Sequence, residues 1–150
     1  MTDRAALAAE AAFDPARFAC LLGSVGHGQL LGLAHVAHGD DWVDMRLPYA
    51  DALVGDAETG ILASGPIVAL MDMATSMAVW TRVGTFVPVA TLDLRVDYLR
   101  PAGVGRDVIG RGTCYRLTRR IAFVRGQAHD GDPDDPIAHV AGTFMFTNAA

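Results

Sequence analysis

Lysine is missing altogether. All twelve basic residues are arginine, set against seventeen acids, for a net charge of −5. An all-arginine set reads first as coding bias and second as a need for the forked guanidinium, which grips phosphate in bidentate fashion. Only Arg119 and Arg120 adjoin, so the concentrated positive face that a nucleic acid needs is lacking, and no nucleic-acid partner is expected. Cysteine is nearly absent too. Cys20 and Cys114 stand far apart with no C-x-x-C spacing, which fits a reduced, cytoplasmic setting, with a disulfide between them as the alternative. The first residues contain Asp3 and Glu10 and no continuous apolar core, so no secretory signal is read there. Long apolar runs are lacking as well. The one candidate, residues 61–81, is interrupted by Gly65-Pro66 and carries Asp72 at its centre, so a membrane span is not expected. There is no G-x-S-x-G elbow, P-loop or dinucleotide fingerprint. Of the five histidines, His35 and His38 lie three apart on an expected strand and so point to opposite faces; no metal site and no cofactor are expected.

What is present is a chain for a single domain over residues 1–150, with a hydrophobic fraction of 51% and no repeat or low-complexity segment. Residues 3–12 are Ala-rich and read as helix. Asp14-Pro15 starts a second short helix to about Leu22, completing a helical lead-in over about residues 1–27. Residues 29–37 and 42–47 are extended runs across a Gly/Asp turn at 38–41 and are expected to pair antiparallel. Pro48 ends the second, and residues 49–60 form an acidic loop. Ser64-Gly65-Pro66 signals the start of a helix running to about Arg82, with Ser or Gly as its cap. Past Gly84, VATLDLRVDYLRP alternates as a strand, with Thr91, Asp93, Arg95 and Asp97 on one face and Leu92, Leu94, Val96 and Tyr98 on the other. Three more strands follow at 107–115, 121–128 and 137–146. The expected architecture is α+β: about six antiparallel strands curved around one long apolar helix.

Asp72 is the residue that demands an account. It is the only formally charged side chain between Ile61 and Thr81. Removing an ionised carboxylate from water costs several kcal/mol unless partners offset it, so the acid either balances a structural cation or performs chemistry. Helical spacing places Val68, Thr75, Ser76 and Val79 beside it and Leu70, Ala74 and Met77 opposite. No arginine sits at helical spacing to pair with it.

The order of elements, the segment TGILASGPIVALMDMATSMA with its ALxDxAxxxA pattern, and the strand ATLDLRVDYLRPA with its Tyr-x-x-Pro-Ala ending are similar to one known family. The chain resembles hotdog-fold acyl-CoA thioesterases of the PaaI-like and 4-hydroxybenzoyl-CoA type, over roughly residues 28–147. The resemblance implies a hotdog fold and hydrolysis of an acyl-CoA to free acid and coenzyme A. Asp72 then activates water or attacks the carbonyl, backbone N–H groups of Ser64 and Gly65 polarise the thioester oxygen, and Thr91 orients the water. Arg116, Arg119 and Arg120, with Arg119 foremost, are then the candidates to grip coenzyme A phosphates. The resemblance also implies a homodimer or homotetramer with its site between subunits.

Two positions depart from the family pattern. Its His-Gly-Gly reads Ala63-Ser64-Gly65 here, and its Asn falls at Ala57; Ser64 or Glu58 is the candidate substitute. These departures leave two alternatives beside the thioesterase: a non-catalytic binder of acyl-CoA or a small aromatic ligand, and an enoyl-CoA hydratase, which needs an Asp-His pair that the preceding loop does not supply. More local alternatives also stand: a structural role for Asp72, a plain helix start at Ser64-Gly65, an ordinary half-exposed strand at Thr91, and a solvated turn at the arginines.

Overall fold

The computed structural model describes residues 12–147; the helix expected at 3–12 lies outside them but for its last residue. Asp14 caps α1 (Pro15–Leu22), its Oδ1 accepting the Arg17 N–H at 3.1 Å. The extended run expected from residue 29 is a helical turn in its first part. That turn, α2 (Gly26–Leu31), is closed by Gly32 in the left-handed region at φ 67°. The correction has a plain cause: helical geometry buries Leu31, and a glycine at the C-cap position lets the chain turn immediately into a strand.

β1 (Ala34–His38) and β2 (Trp42–Leu47) then form the expected hairpin, with the Gly39 N–H bonded to the Trp42 carbonyl at 3.0 Å. A bulge at Val36 upsets one expectation. It returns His35 and His38 to the same face, where their ring nitrogens lie 2.9 Å apart. Among the described residues, no group of three or more potential ligands forms a metal site. The acidic loop contains a turn of 3-10 helix at Asp51–Leu53 and a small hairpin, β3 (Val54–Asp56) with β4 (Ile61–Leu62).

The long helix α3 (Ser64–Val83) ends at Gly84, φ 80°, whose N–H reaches the Trp80 and Thr81 carbonyls. Four strands follow: β5 (Val89–Tyr98), β6 (Val108–Leu117), β7 (Ile121–His129) and β8 (Ala138–Phe146). One antiparallel sheet results, in the order β1-β2-β6-β7-β8-β5, with α3 laid across β2, β6 and β7. β1 and β5 are its two open edges.

The helix is buried because most of its surface is apolar. Ile67, Leu70, Met71, Ala74 and Met77 pack with Val43, Met45, Leu47, Val108 and Val140, while Ala78 and Val79 join Cys114, Val124 and Phe144. Fully burying one such Leu, Met or Val side chain contributes roughly 1.5–3 kcal/mol, so this interface dominates the stability. The approach is close enough to require glycine on the sheet. A Cβ at Gly112 on β6 would lie 2.5 Å from the Ala74 carbonyl oxygen and 2.6 Å from the Thr75 nitrogen. Backbone cannot step aside as a flexible side chain does.

The buried hydroxyls on α3 satisfy themselves. Thr75 donates to the Met71 carbonyl at 2.7 Å, Ser76 to Asp72 at 2.8 Å and Thr81 to Met77 at 2.7 Å. The expected polar stripe therefore reduces to the Asp72 carboxylate. Cys20 is exposed and Cys114 buried, both as free thiols, so the disulfide alternative falls. No helix of the described residues is long and apolar enough to cross a membrane.

One ion pair fixes the segment after β5. Arg100 donates to both oxygens of Asp130, at 2.7 and 3.1 Å, and the Gly103 N–H donates to the same carboxylate at 2.6 Å. The Asp130 side chain is only 3% exposed, and the Arg100 guanidinium beside it holds its carboxyl down to about 2, against 3.8 ordinarily. A lowered folded-state value means stability that is complete above the ordinary value and lost as pH falls through the folded one.

Two predictions follow from this packing. Gly112→Ala destabilises the protein by about 1–3 kcal/mol in urea unfolding, because α3 and β6 must separate to admit one methyl group. Asp130→Asn costs about 2 kcal/mol at neutral pH, the equivalent of that shift. Its deficit against the parent protein shrinks between about pH 4 and pH 2, read from urea midpoints across that range.

Candidate active site

Seven residues along a helix amount to about 10 Å of rise and return to within about 20° of the same face. Asp72 therefore looks along one flank of α3 toward Gly65, with Val68 between them. That flank is the open one: Ser64, Gly65 and Val68 are exposed and Asp72 is half-buried, while Leu70, Ala74 and Met77 opposite are fully buried.

The helix start differs from expectation in a way that matters. Ala63, not Ser64 or Gly65, is the N-cap residue, and no side chain caps the helix. Ser64 and Gly65 occupy the first two helical positions, where amides have no intrahelical acceptor. Neither amide has an acceptor among the described residues. A Cβ built on Gly65 meets nothing within 4 Å, so open space lies in front of this peptide. The positive end of the helix dipole adds to these donors.

Asp72 forms no ion pair with any described residue. Its one side-chain partner among the described residues is Thr91, whose hydroxyl donates to Oδ1 at 2.9 Å. Strict alternation along β5 puts Thr91 with Asp93, away from the helix. The structure corrects this: Leu92 is an extra residue in the ladder, so Thr91 stands opposite Phe144 and Asp93 opposite Thr143. Phe144 belongs to the core under the helix, so the bulge turns Thr91 inward onto Asp72.

The remaining candidates are not gathered there. Glu58 lies in the exposed turn between β3 and β4, its N–H held by Asp56 Oδ1 at 3.0 Å. Arg116, Arg119 and Arg120 are exposed around the β6–β7 turn. Leu117 beside them packs in the cluster that includes Val83, at the far end of α3 from Ser64. Asp72 lies about 16 Å along the helix from that end, so within one chain these arginines do not reach it.

Sequence reading missed Tyr98, taken only as an apolar-face residue of β5. Its hydroxyl donates to the Ser64 carbonyl at 3.1 Å, tying the end of β5 to the start of α3. The available signal was a hydroxyl-bearing aromatic at a strand end, where Phe would serve packing equally well.

Comparison with known proteins identifies the family and the fold. A family profile described as the thioesterase superfamily matches residues 59–137, which contain α3 whole and Thr91 and Tyr98 on β5. A structural-genomics protein of Pseudomonas aeruginosa is 39% identical, with a TM-score of 0.78 over 88% of this chain and 98% of its own. A variant of the phenylacetic acid degradation protein PaaI from Thermus thermophilus is 27% identical, with a TM-score of 0.67 over 79% and 96%. A thioesterase from Haemophilus influenzae shares the fold at 24% identity and a TM-score of 0.78, over 91% and 92%. No curated protein matches the chain. The chain belongs to the thioesterase superfamily, and its α+β architecture is the hotdog fold.

Proposed function

We propose that the protein hydrolyses an acyl-CoA thioester to the free acid and coenzyme A. The observation that carries this reading is Asp72: a carboxylate on an apolar helix that, among the described residues, has no ion-pair partner and a single hydroxyl partner, on the same flank as two unoccupied helix-start amides. A structural acid would have its charge neutralised. The match to the thioesterase superfamily gives that arrangement a reaction.

The chemistry divides between the two ends of this flank. The thioester oxygen seats against the Ser64 and Gly65 N–H groups, which stabilise the negative charge that develops as the carbonyl carbon becomes tetrahedral. In one course Asp72 takes a proton from a water as the water oxygen bonds to that carbon, the carbon–sulfur bond breaks, and the proton passes from Asp72 to the departing coenzyme A thiolate; in the other Asp72 attacks the carbon itself, the thiolate leaves and takes a proton from solvent, and water then hydrolyses the acyl–Asp72 anhydride to the free acid. Thr91 keeps the Asp72 carboxylate from turning away. One oxyanion donor is worth about 3 kcal/mol, roughly a hundredfold in rate or more.

The site is completed by a second copy of the chain. In one copy β5 is a ten-residue edge strand that leaves Leu92 and Tyr98 exposed, as Val68 is on α3. Long exposed edges of this kind are pairing surfaces. A dimer through β5 covers the open side of Asp72, and neighbouring copies are then the source of arginine contacts to the coenzyme, from Arg116, Arg119 or Arg120.

A second reading, binding without hydrolysis, draws on Ala63 and Ala57, where the family pattern carries His and Asn. Thiol release from a panel of acyl-CoA esters separates the two. Hydrolysis of at least one ester, falling more than a hundredfold in Asp72→Asn with the melting temperature held within a few degrees, is the expected result. Tight binding with no thiol release above background supports the binder, and a large stability loss in Asp72→Asn supports a structural acid. Sedimentation equilibrium is expected to give a dimer or tetramer; a monomer at assay concentration contradicts the shared site.

A further inference from the structure

The thioesterase reading leaves one contact unused. Tyr98 closes β5, and its phenol oxygen lies 3.1 Å from the carbonyl of Ser64, the first residue of α3. That carbonyl and the Gly65 N–H belong to the same peptide unit, which is planar and trans, so the two groups point in opposite directions. Whatever holds the carbonyl sets the direction of the N–H.

We infer that Tyr98 is a positioning residue for the oxyanion amide: by donating to the Ser64 carbonyl it fixes and polarises the peptide whose Gly65 N–H receives the thioester oxygen. This rests on the reading of the site given above and deepens it.

Three features of the chain carry the inference. Gly65 has no side chain and a Cβ there would meet nothing within 4 Å, so apart from the helix's own bond to the Ser64 carbonyl no packing from outside α3 holds this peptide plane. Ala63 offers no side-chain cap, so the first turn lacks the usual means of fixing its amides. Tyr98 supplies an external tie in their place. Its own position is secured on both sides: it pairs with Ala138 on β8, and Arg100, two residues on, is clamped to the buried Asp130. Burial pushes the phenol above its ordinary value, so the hydroxyl stays a donor through the neutral range.

A second effect adds to orientation. Donation to a carbonyl withdraws density from its amide and makes the attached N–H a stronger donor, by about 10–30% per bond in such chains. The Ser64 carbonyl is the acceptor here, so the gain falls on the Gly65 N–H.

Tyr98→Phe removes only the hydroxyl, and two measurements on the full-length protein read its effect. In amide NMR spectra the Gly65 proton is expected to move upfield by several tenths of a ppm while resonances of β6 and β7 stay in place. With an acyl-CoA that the parent enzyme hydrolyses, kcat is expected to fall about five- to twentyfold with KM changed less than about twofold. A Gly65 resonance that does not move overturns the inference whatever the activity. A moved resonance with kcat unchanged, in a protein whose Asp72→Asn variant is inactive, overturns the positioning role and leaves the thioesterase reading standing. A parent protein that releases thiol from no acyl-CoA overturns that reading, and the positioning role with it.

Discussion

A carboxylate with no ion-pair partner among the described residues, on a helix otherwise buried by apolar packing, is the constraint around which this molecule is organised. The sheet closes on α3 tightly enough that β6 needs glycine at Gly112, and the cores on either side of Ala74 and Val79 hold the helix in one position. Asp72 escapes that burial because it faces the β5 edge of the sheet, where its partner is the exposed Thr91. Rigid packing on three sides and an opening on the fourth are what a fixed reactive group requires.

The start of α3 shows the same economy. Its first amides are left without a side-chain cap, which in a purely structural helix forgoes about 1 kcal/mol. Uncapped amides in an open setting are instead available to an incoming oxygen. The stabilisation forgone at this end is made up by apolar burial along the rest of the helix, and Tyr98 and the Arg100–Asp130 pair restrain the surrounding chain.

Much of the fold was legible because period-2 and period-3.6 patterns are strong in this chain. The long helix, the four later strands and the first hairpin fall close to where composition and turn residues place them. The errors share a physical cause. α2 is too short to show a helical period, so Gln29 and Leu30 read as extended. Bulges at Val36 and Leu92 shift the phase of alternation without changing composition, so sequence alone put His35 opposite His38 and placed Thr91 on one face with Asp93, Arg95 and Asp97. Asp72 was legible as an anomaly, a charge among apolar neighbours. Its contact with Thr91 depends on one extra residue in the ladder, and the separation of Arg116, Arg119 and Arg120 from it depends on which end of the helix the β6–β7 turn meets. Neither is written in local pattern.

The account stands on a thioester lying along the open flank of α3, its oxygen at the helix start and its carbonyl carbon facing Asp72. A crystal structure with a non-hydrolysable acyl-CoA analogue tests that arrangement directly. The expected complex places the analogue's carbonyl oxygen within hydrogen-bond distance of the Gly65 or Ser64 amide, and an Asp72 oxygen, or a water it holds, against the carbonyl carbon. An analogue bound elsewhere on the molecule, or one whose carbonyl points away from the helix start while Asp72 contacts only Thr91, contradicts it.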